Sequence, residues 1–287
     1  MTPLRERMIA FMKVRNYSER TIEAYVHWVG VLAKFHRRSP DELDESDLIE
    51  FQIWLRESRR ASWSGFNQAM CALRFFYGQV IGREEVCPRL TFARRERKLP
   101  VVLSAAEVEA MVRAARSLRD LVIVSIFYSC GLRLRELTAL RTEDIDSSRM
   151  VIHIRRGKGN KDRYVPLSTS LLELLRQYWL DSKPRGYLFP SPRYPGRALD
   201  DHTIQRLIAR MARAAGIEKR VTPRTLRHTY ATHQIEQGVN LRFVQVILGH
   251  RSLLTTQRYT QVSNESIGSI TNPLDKIKLP AVSFRSR

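Results

Sequence analysis

The segment Thr222-Pro-Arg-Thr-Leu-Arg-His-Thr-Tyr-Ala-Thr-His233 concentrates groups that can grip an anion. Thr222 is a good helix N-cap, and Pro223 suits the first helical position. Arg224, Arg227 and His228 then fall at i, i+3 and i+4, on one face of the first two turns. Cations there oppose the helix dipole, which makes sense when negative charge binds at that end. A solvated basic face with a buried histidine fits the same spacing equally well. Downstream, Asn240 can cap a helix ending at Leu248-Gly249-His250, and Ser252 opens a short helix carrying Tyr259. A tyrosine in polar surroundings near a histidine is an odd core residue and a usable nucleophile. Its phenol is weak at an ordinary pKa of about 10 and needs an activating environment such as nearby cations.

Other chemistries fit less well. Gly157-Lys-Gly-Asn-Lys161 lacks the spacing of a nucleotide-binding P-loop. His228, His233 and His250 could form a zinc triad, but HxxxxH without a third fixed ligand is nonspecific, and no metal or cofactor is expected. Cys71, Cys87 and Cys130 are too widely spaced for a CxxC pair or a disulfide framework.

The elements that must position these groups follow from periodicity. The first 90 or so residues read as helices. Ser18 caps one with Tyr25, Trp28, Val29, Leu32 and Phe35 on its apolar face, and Asp44 starts another with Leu48, Phe51, Trp54 and Leu55 inward. A third carries Phe66, Met70, Leu73, Tyr77 and Val80. These aromatics read as core, with base stacking the lesser alternative. Arg89 to Pro100 breaks the pattern and reads as a basic linker in which Arg94, Arg95, Arg97 and Lys98 could clamp a phosphate backbone. Ser104-Ala-Ala-Glu107 is a capping box, and an apolar helix runs from Leu118 to Gly131. Met150–Arg155 and Arg163–Leu167 have strand character and flank Gly157–Lys161 as a hairpin. A helix over Leu171–Leu180 and a Pro-rich loop come next, and Asp201 caps a helix that ends at Gly216.

Composition narrows the class. The chain has 287 residues, and 49 Lys+Arg against 29 Asp+Glu give a net charge of +20. That length suggests two domains, and 43% hydrophobic content argues against disorder. The apolar run from Leu121 to Cys130 is far too short to span a bilayer, and the N-terminus lacks a signal-peptide pattern, so a cytoplasmic protein without membrane partners is expected. Residues 1–98 carry net +5 and the remainder net +15. Nucleic acid is the leading partner, and the phosphate site belongs in the second half.

Five motifs fall in a recognisable order: Gly131-Leu-Arg-Leu-Arg-Glu-Leu137, Gly157-Lys-Gly-Asn-Lys161, Leu226-Arg-His-Thr-Tyr-Ala-Thr-His233, Leu248-Gly-His250 and Thr256-Gln-Arg-Tyr259. Together they resemble the tyrosine recombinases (the phage-integrase family), and are most similar to Xer-type and integron-integrase members. Asn16–Tyr25 is similar to that family's N-terminal core-binding domain. The resemblance implies a multidomain, mainly α chain. An all-helical, SAM-like DNA-binding domain over 1–88 is joined by a linker over 89–100 to an α/β catalytic domain over 101–287. That domain has a small antiparallel sheet and a tail from about residue 261.

It further implies site-specific recombination of double-stranded DNA through a 3′-phosphotyrosyl intermediate and a Holliday junction, carried out by a tetramer on synapsed sites. Matched motif by motif, Tyr259 is the nucleophile and Arg133 and Arg227 hold the scissile phosphate. Lys158 is the general acid for the leaving 5′-hydroxyl, His250 hydrogen-bonds the phosphate, and Glu136 supports the site. On the helix from Asp201, Thr203, Gln205, Arg206 and Arg210 are candidate DNA contacts. One position departs from the pattern: Arg224 stands where the family usually has His, sometimes Lys. An arginine stays protonated and cannot take the tyrosine's proton, but it can hold phosphate and lower the tyrosine pKa. A DNA-binding-only degenerate member and a type IB topoisomerase-like enzyme are the alternatives.

Overall fold

The computed structural model describes residues 2–93, 99–155 and 162–249. The chain divides into two compact units, Met1–Arg97 and Lys98–Arg287.

The first unit is helical throughout its described part. Helix α1 (Pro3–Val14) starts on a proline. Helix α2 (Glu19–His36) is capped by Ser18, whose Oγ accepts from Thr21 N at 3.3 Å. Helix α3 (Glu45–Glu57) opens with a reciprocal box in which Asp44 and Asp47 each accept the other's backbone N–H. Helix α4 (Trp63–Phe75) is capped by Ser62. The expected apolar faces are turned inward: Trp28, Leu32, Leu48, Phe51, Phe66, Met70 and Leu73 are buried, and Tyr25, Phe35 and Trp54 pack against them.

The last of these helices does not continue as an α-helix to Val80. It widens into a π-turn, Phe76–Ile81, that keeps Phe76, Tyr77 and Val80 all buried. Residues 89–93, read as the start of a linker, pack onto α3 and α4. Leu90 is fully buried, Gln52 Oε1 accepts from Thr91 N at 3.1 Å, and Asn67 Oδ1 accepts from Ala93 N at 2.8 Å. Arg94, Arg95, Arg97 and Lys98 lie outside the described residues.

The second unit is mixed α/β. Helix α5 (Ala105–Arg113) carries the Ser104–Glu107 capping box, and α6 (Leu118–Cys130) is buried on nearly every side. Helix α7 (Leu134–Ala139) follows at once. Strands β1 (Ile145–Asp146), β2 (Val151–Ile154) and β3 (Arg163–Pro166) form an antiparallel sheet in that order. In its register Ile152 faces Val165 and Ile154 faces Arg163. Ile152, Ile154 and Val165 join the core, while His153 and Tyr164 stack on the other face, their ring centres 5.0 Å apart.

Helices α8 (Thr169–Ser182), α9 (Asp201–Ala214), α10 (Pro223–Glu236) and α11 (Leu241–Leu248) complete the described part. The cap of α9 is Asp200, not Asp201. Asp200 is extended and its carboxylate accepts from Thr203 N at 2.9 Å, so the first of the two aspartates takes the orphan amide. Among the described residues no helix is long and apolar enough to cross a membrane.

Candidate active site

Helix α6 stops at Gly131 in a left-handed conformation with φ of 59°. A Cβ there would lie 2.4 Å from Tyr230 Cδ1 and 2.9 Å from Leu248 Cδ2. Only glycine lets α6, α10 and α11 meet this closely. Two residues on, Arg133 opens α7 and lies directly against Glu136. The Glu136 carboxylate accepts from Arg133 N at 2.8 Å and from Arg133 Nη1 at 2.6 Å.

Glu136 is buried, and two further guanidiniums surround it. Arg163 donates through Nη1 and Nη2 to both carboxylate oxygens at 2.8 Å, while Arg227 Nη1 lies 3.7 Å away. Burial alone would raise the carboxyl pKa. The hydrogen bonds and charge of Arg163, then those of Arg133, overcome it and hold Glu136 at about 2. One anion among three cations leaves net positive charge in a low-dielectric setting, an arrangement that can attract a second anion. Arg133 is the most accessible of the three, its side chain 26% exposed against 9% for Arg163 and 7% for Arg227.

The same three arginines hold the end of α11. Arg163 Nε donates to Ile247 O at 2.6 Å, Arg227 Nη2 to Leu248 O at 2.6 Å, and Arg133 Nη2 to Gly249 O at 3.1 Å. Three consecutive carbonyls at the negative end of a helix are thereby satisfied by three cations. Arg227 Nη1 also donates to Gly131 O at 2.7 Å, which ties the end of α6 to the end of α11.

Helix α10 does start at Thr222 with Pro223 in its first turn, and Thr222 Oγ1 accepts from Thr225 N. The two arginines and the histidine of its first turns do not share one environment. Arg227 is buried against Glu136, whereas Arg224 is exposed and its Nε donates to His228 Nε2 at 3.1 Å. His233 is a structural residue. Its Nε2 lies 3.0 Å from Leu103 O and its Nδ1 2.9 Å from Tyr128 Oη, so both ring nitrogens are taken and neither is left for a zinc ion. Tyr230, in the same segment, is 5% exposed, and burial pushes its phenol up to about 12, so it is a core residue closed off from a substrate. Lys158, His250 and Tyr259 lie outside the described residues.

Of the candidate DNA contacts on α9, Gln205 and Arg206 are exposed and line a groove of about 680 Å³ with His202, Arg220 and the start of α10. Thr203 has its hydroxyl on the Asp200 carboxylate at 2.5 Å, in the cap. Arg210 is exposed along its length, and its Nη2 donates to Asp120 Oδ2 at 2.6 Å, where Asp120 is a buried carboxylate of α6. Arg210 therefore balances a buried charge of the fold. Arg163 is the site residue that motif reading missed. Its signal was available, because alternation along β3 puts Arg163 on the same face as buried Val165, where a charged side chain needs a partner.

The description "Phage integrase family" matches residues 101–266, and "Phage integrase, N-terminal SAM-like domain" matches residues 4–85. A Sinorhizobium fredii protein named as an integrase/recombinase is 36% identical over 98% of this chain and 91% of its own length. The tyrosine recombinase XerA of Pyrococcus horikoshii is 32% identical over 96% of this chain and 93% of its own. The crystal structure of the XerH site-specific recombinase bound to palindromic difH substrate shares the fold. Its TM-score is 0.71 at 24% identity, over 90% of this chain and 82% of that one.

Proposed function

The chain belongs to the phage integrase family and is a tyrosine site-specific recombinase, and on that premise we propose how its own residues divide the work. The substrate is a double-stranded DNA recombination site, as the XerH–difH complex and the net charge of +20 both support. Arg133 and Arg227 hold the nonbridging oxygens of the scissile phosphate. Planar guanidiniums suit that task because they can engage two oxygens at once while charge builds in the transition state.

The Tyr259 hydroxyl gives up its proton to solvent water and attacks the phosphorus, and its oxygen forms a bond to the 3′-phosphate as the bond to the 5′-oxygen breaks. Lys158 protonates that leaving 5′-oxygen. His250, which follows the arginine-bound carbonyls of residues 247–249, hydrogen-bonds the phosphate. Arg224 adds positive charge near the tyrosine and cannot act as its base. Ester energy is conserved in the phosphotyrosine, so the sequence of steps calls for neither nucleotide hydrolysis nor a metal. Rejoining to a second site through a Holliday junction is the work of four protomers. Gln205 and Arg206 on α9 read the DNA, and the first unit also binds it.

The observation that carries this reading is the convergence of Arg133 and Arg227 on one buried carboxylate and on consecutive carbonyls of α11. The test is covalent trapping on a duplex nicked beside the cleavage point. The parent should accumulate a protein–DNA adduct that maps to Tyr259. Tyr259→Phe should bind the same duplex and form none. An adduct mapped to another residue overturns the assignment, and a parent that binds but never traps is a DNA-binding-only protein.

A further inference from the structure

Arg163 has each of its three nitrogens engaged inside the protein. Its Nη1 and Nη2 pair with the two oxygens of Glu136 at 2.8 Å, its Nε donates to Ile247 O at 2.6 Å, and its side chain is 9% exposed. Nothing in the reaction described above uses it. Yet a buried arginine is costly unless its partner must be held. The partner here is the carboxylate that also binds Arg133.

Charge balance shows what Arg163 does. With Arg163 present, Glu136 is neutralised and the charges of Arg133 and Arg227 remain for an incoming anion. Without it, the carboxylate draws on Arg133, already at 2.6 Å, and on Arg227, at 3.7 Å. Both would then be pulled toward Glu136 and away from the Gly249, Leu248 and Gly131 carbonyls that orient them. Position adds to charge. Arg163 opens β3, so its side chain also pins the sheet to the last turn of α11.

We propose that Arg163 is a positioning residue for phosphate binding: by neutralising Glu136 and splinting the end of α11, it keeps Arg133 and Arg227 available to the scissile phosphate. The proposal rests on the reading of those two arginines as the phosphate's ligands. It makes Glu136 an inhibitory charge whenever Arg163 is absent, which an ordinary structural arginine would not do.

The experiment measures single-turnover cleavage by Arg163→Gln, Glu136→Gln and the double variant, with half-site binding and thermal unfolding as controls of fold. Arg163→Gln should cleave about a hundredfold more slowly than the parent, the scale of a lost transition-state donor. The double variant, in which the unbalanced carboxylate is gone, should cleave about tenfold faster than Arg163→Gln alone, a coupling that neighbouring residues of one network show. A double variant no faster than Arg163→Gln overturns the proposal, as does near-parental cleavage by Arg163→Gln. Arg163→Met, which fills the same space without a polar group, replaces the glutamine variant if that one does not fold.

A second substrate separates this proposal from the reading beneath it. DNA with a methylphosphonate at the scissile position carries no charge there, so arginines that neutralise the phosphate matter less. The deficits of Arg133→Ala and Arg227→Ala relative to the parent should shrink on it, and that of Arg163→Gln should shrink with them. If the Arg133 and Arg227 deficits persist unchanged, the phosphate reading fails, and the comparison of single and double variants on ordinary DNA still judges the Arg163–Glu136 couple. If theirs shrink and that of Arg163→Gln does not, Arg163 acts elsewhere and the proposal fails alone.

Discussion

In the first unit, Phe51, Leu32, Met12 and Met70 are fully buried among other apolar side chains, and charged groups pair at the rim. Arg38 Nη1 lies 3.2 Å from Asp47 and Arg83 Nε 3.4 Å from Glu85, with Arg38 half exposed and Glu85 more so. The second unit has a core of the same kind, built on Ile123, Phe127, Ile152 and Phe189. Beside that core, however, it buries a carboxylate among three guanidiniums. The apolar core stabilises either unit without such a cluster, and burying charge costs several kcal/mol before pairing offsets it. The difference makes the buried cluster of the second unit the candidate place for chemistry, while the first unit keeps its charges at the rim.

The comparison can be broken most directly at its two ends. Phe51→Ala in the first unit should lower stability by about 3–5 kcal/mol, the usual cost of emptying a buried aromatic site. The cleavage rate of the folded, DNA-bound protein should stay within a few-fold of the parent. Denaturant unfolding and single-turnover cleavage read the two quantities separately, and a parallel fall in both would erase the distinction between the units. Arg227→Ala in the second unit should slow cleavage by two to three orders of magnitude, or about 3–4 kcal/mol in the barrier. It should also cost about 1–3 kcal/mol of stability, because the Gly131 and Leu248 carbonyls lose their donor. Unimpaired cleavage would make the cluster structural.

Glu136 sharpens the comparison through pH. Its carboxyl is held at about 2 in the folded protein, below its unfolded value, so the stabilisation is complete above about pH 4.5 and is lost as the pH falls toward 2. Parent and Glu136→Gln should therefore differ most at neutral pH. The parent's advantage should shrink on the order of 3 kcal/mol across that acid window. Urea unfolding at pH 7, 5, 4 and 3 measures it, and a difference independent of pH would mean the carboxylate is not held as an ion. The smallest effect belongs to the rim of the first unit. Glu85→Ala should change stability by less than about 1 kcal/mol, since an exposed pair gains little in water. A larger loss in urea unfolding would show that the first unit, too, depends on its charges.

Local signals were read well from the chain alone. Ser18, Asp44, Ser104, Thr222 and Asn240 each cap the helix that the sequence assigns to them. The two strands flanking residues 156–161 pair as a hairpin should. Caps and hairpins act over two to four residues, so residue type and spacing suffice. Misreadings began where two neighbours competed or the helix changed its period: Asp200 took the cap from Asp201, and Phe76–Ile81 widened into a π-turn.

The site itself was legible as motifs and not as an arrangement. Arg133, Glu136 and Arg227 can be picked out by type and order, but their meeting at the end of α11 joins residues up to 116 positions apart in the chain. Helical periodicity placed Arg224 and Arg227 on one face, yet a face covers a wide arc. Only the packing of α10 against α6 and α11 turned Arg227 inward and left Arg224 exposed with His228. The same packing sent Arg210 to a buried aspartate and drew Arg163 into the carboxylate cluster. Which side chains can carry charge and where helices begin follow from short-range chemistry along the chain. Which of those charges are buried together depends on long-range contacts, because a charge leaves water only where the folded core has already assembled its partner.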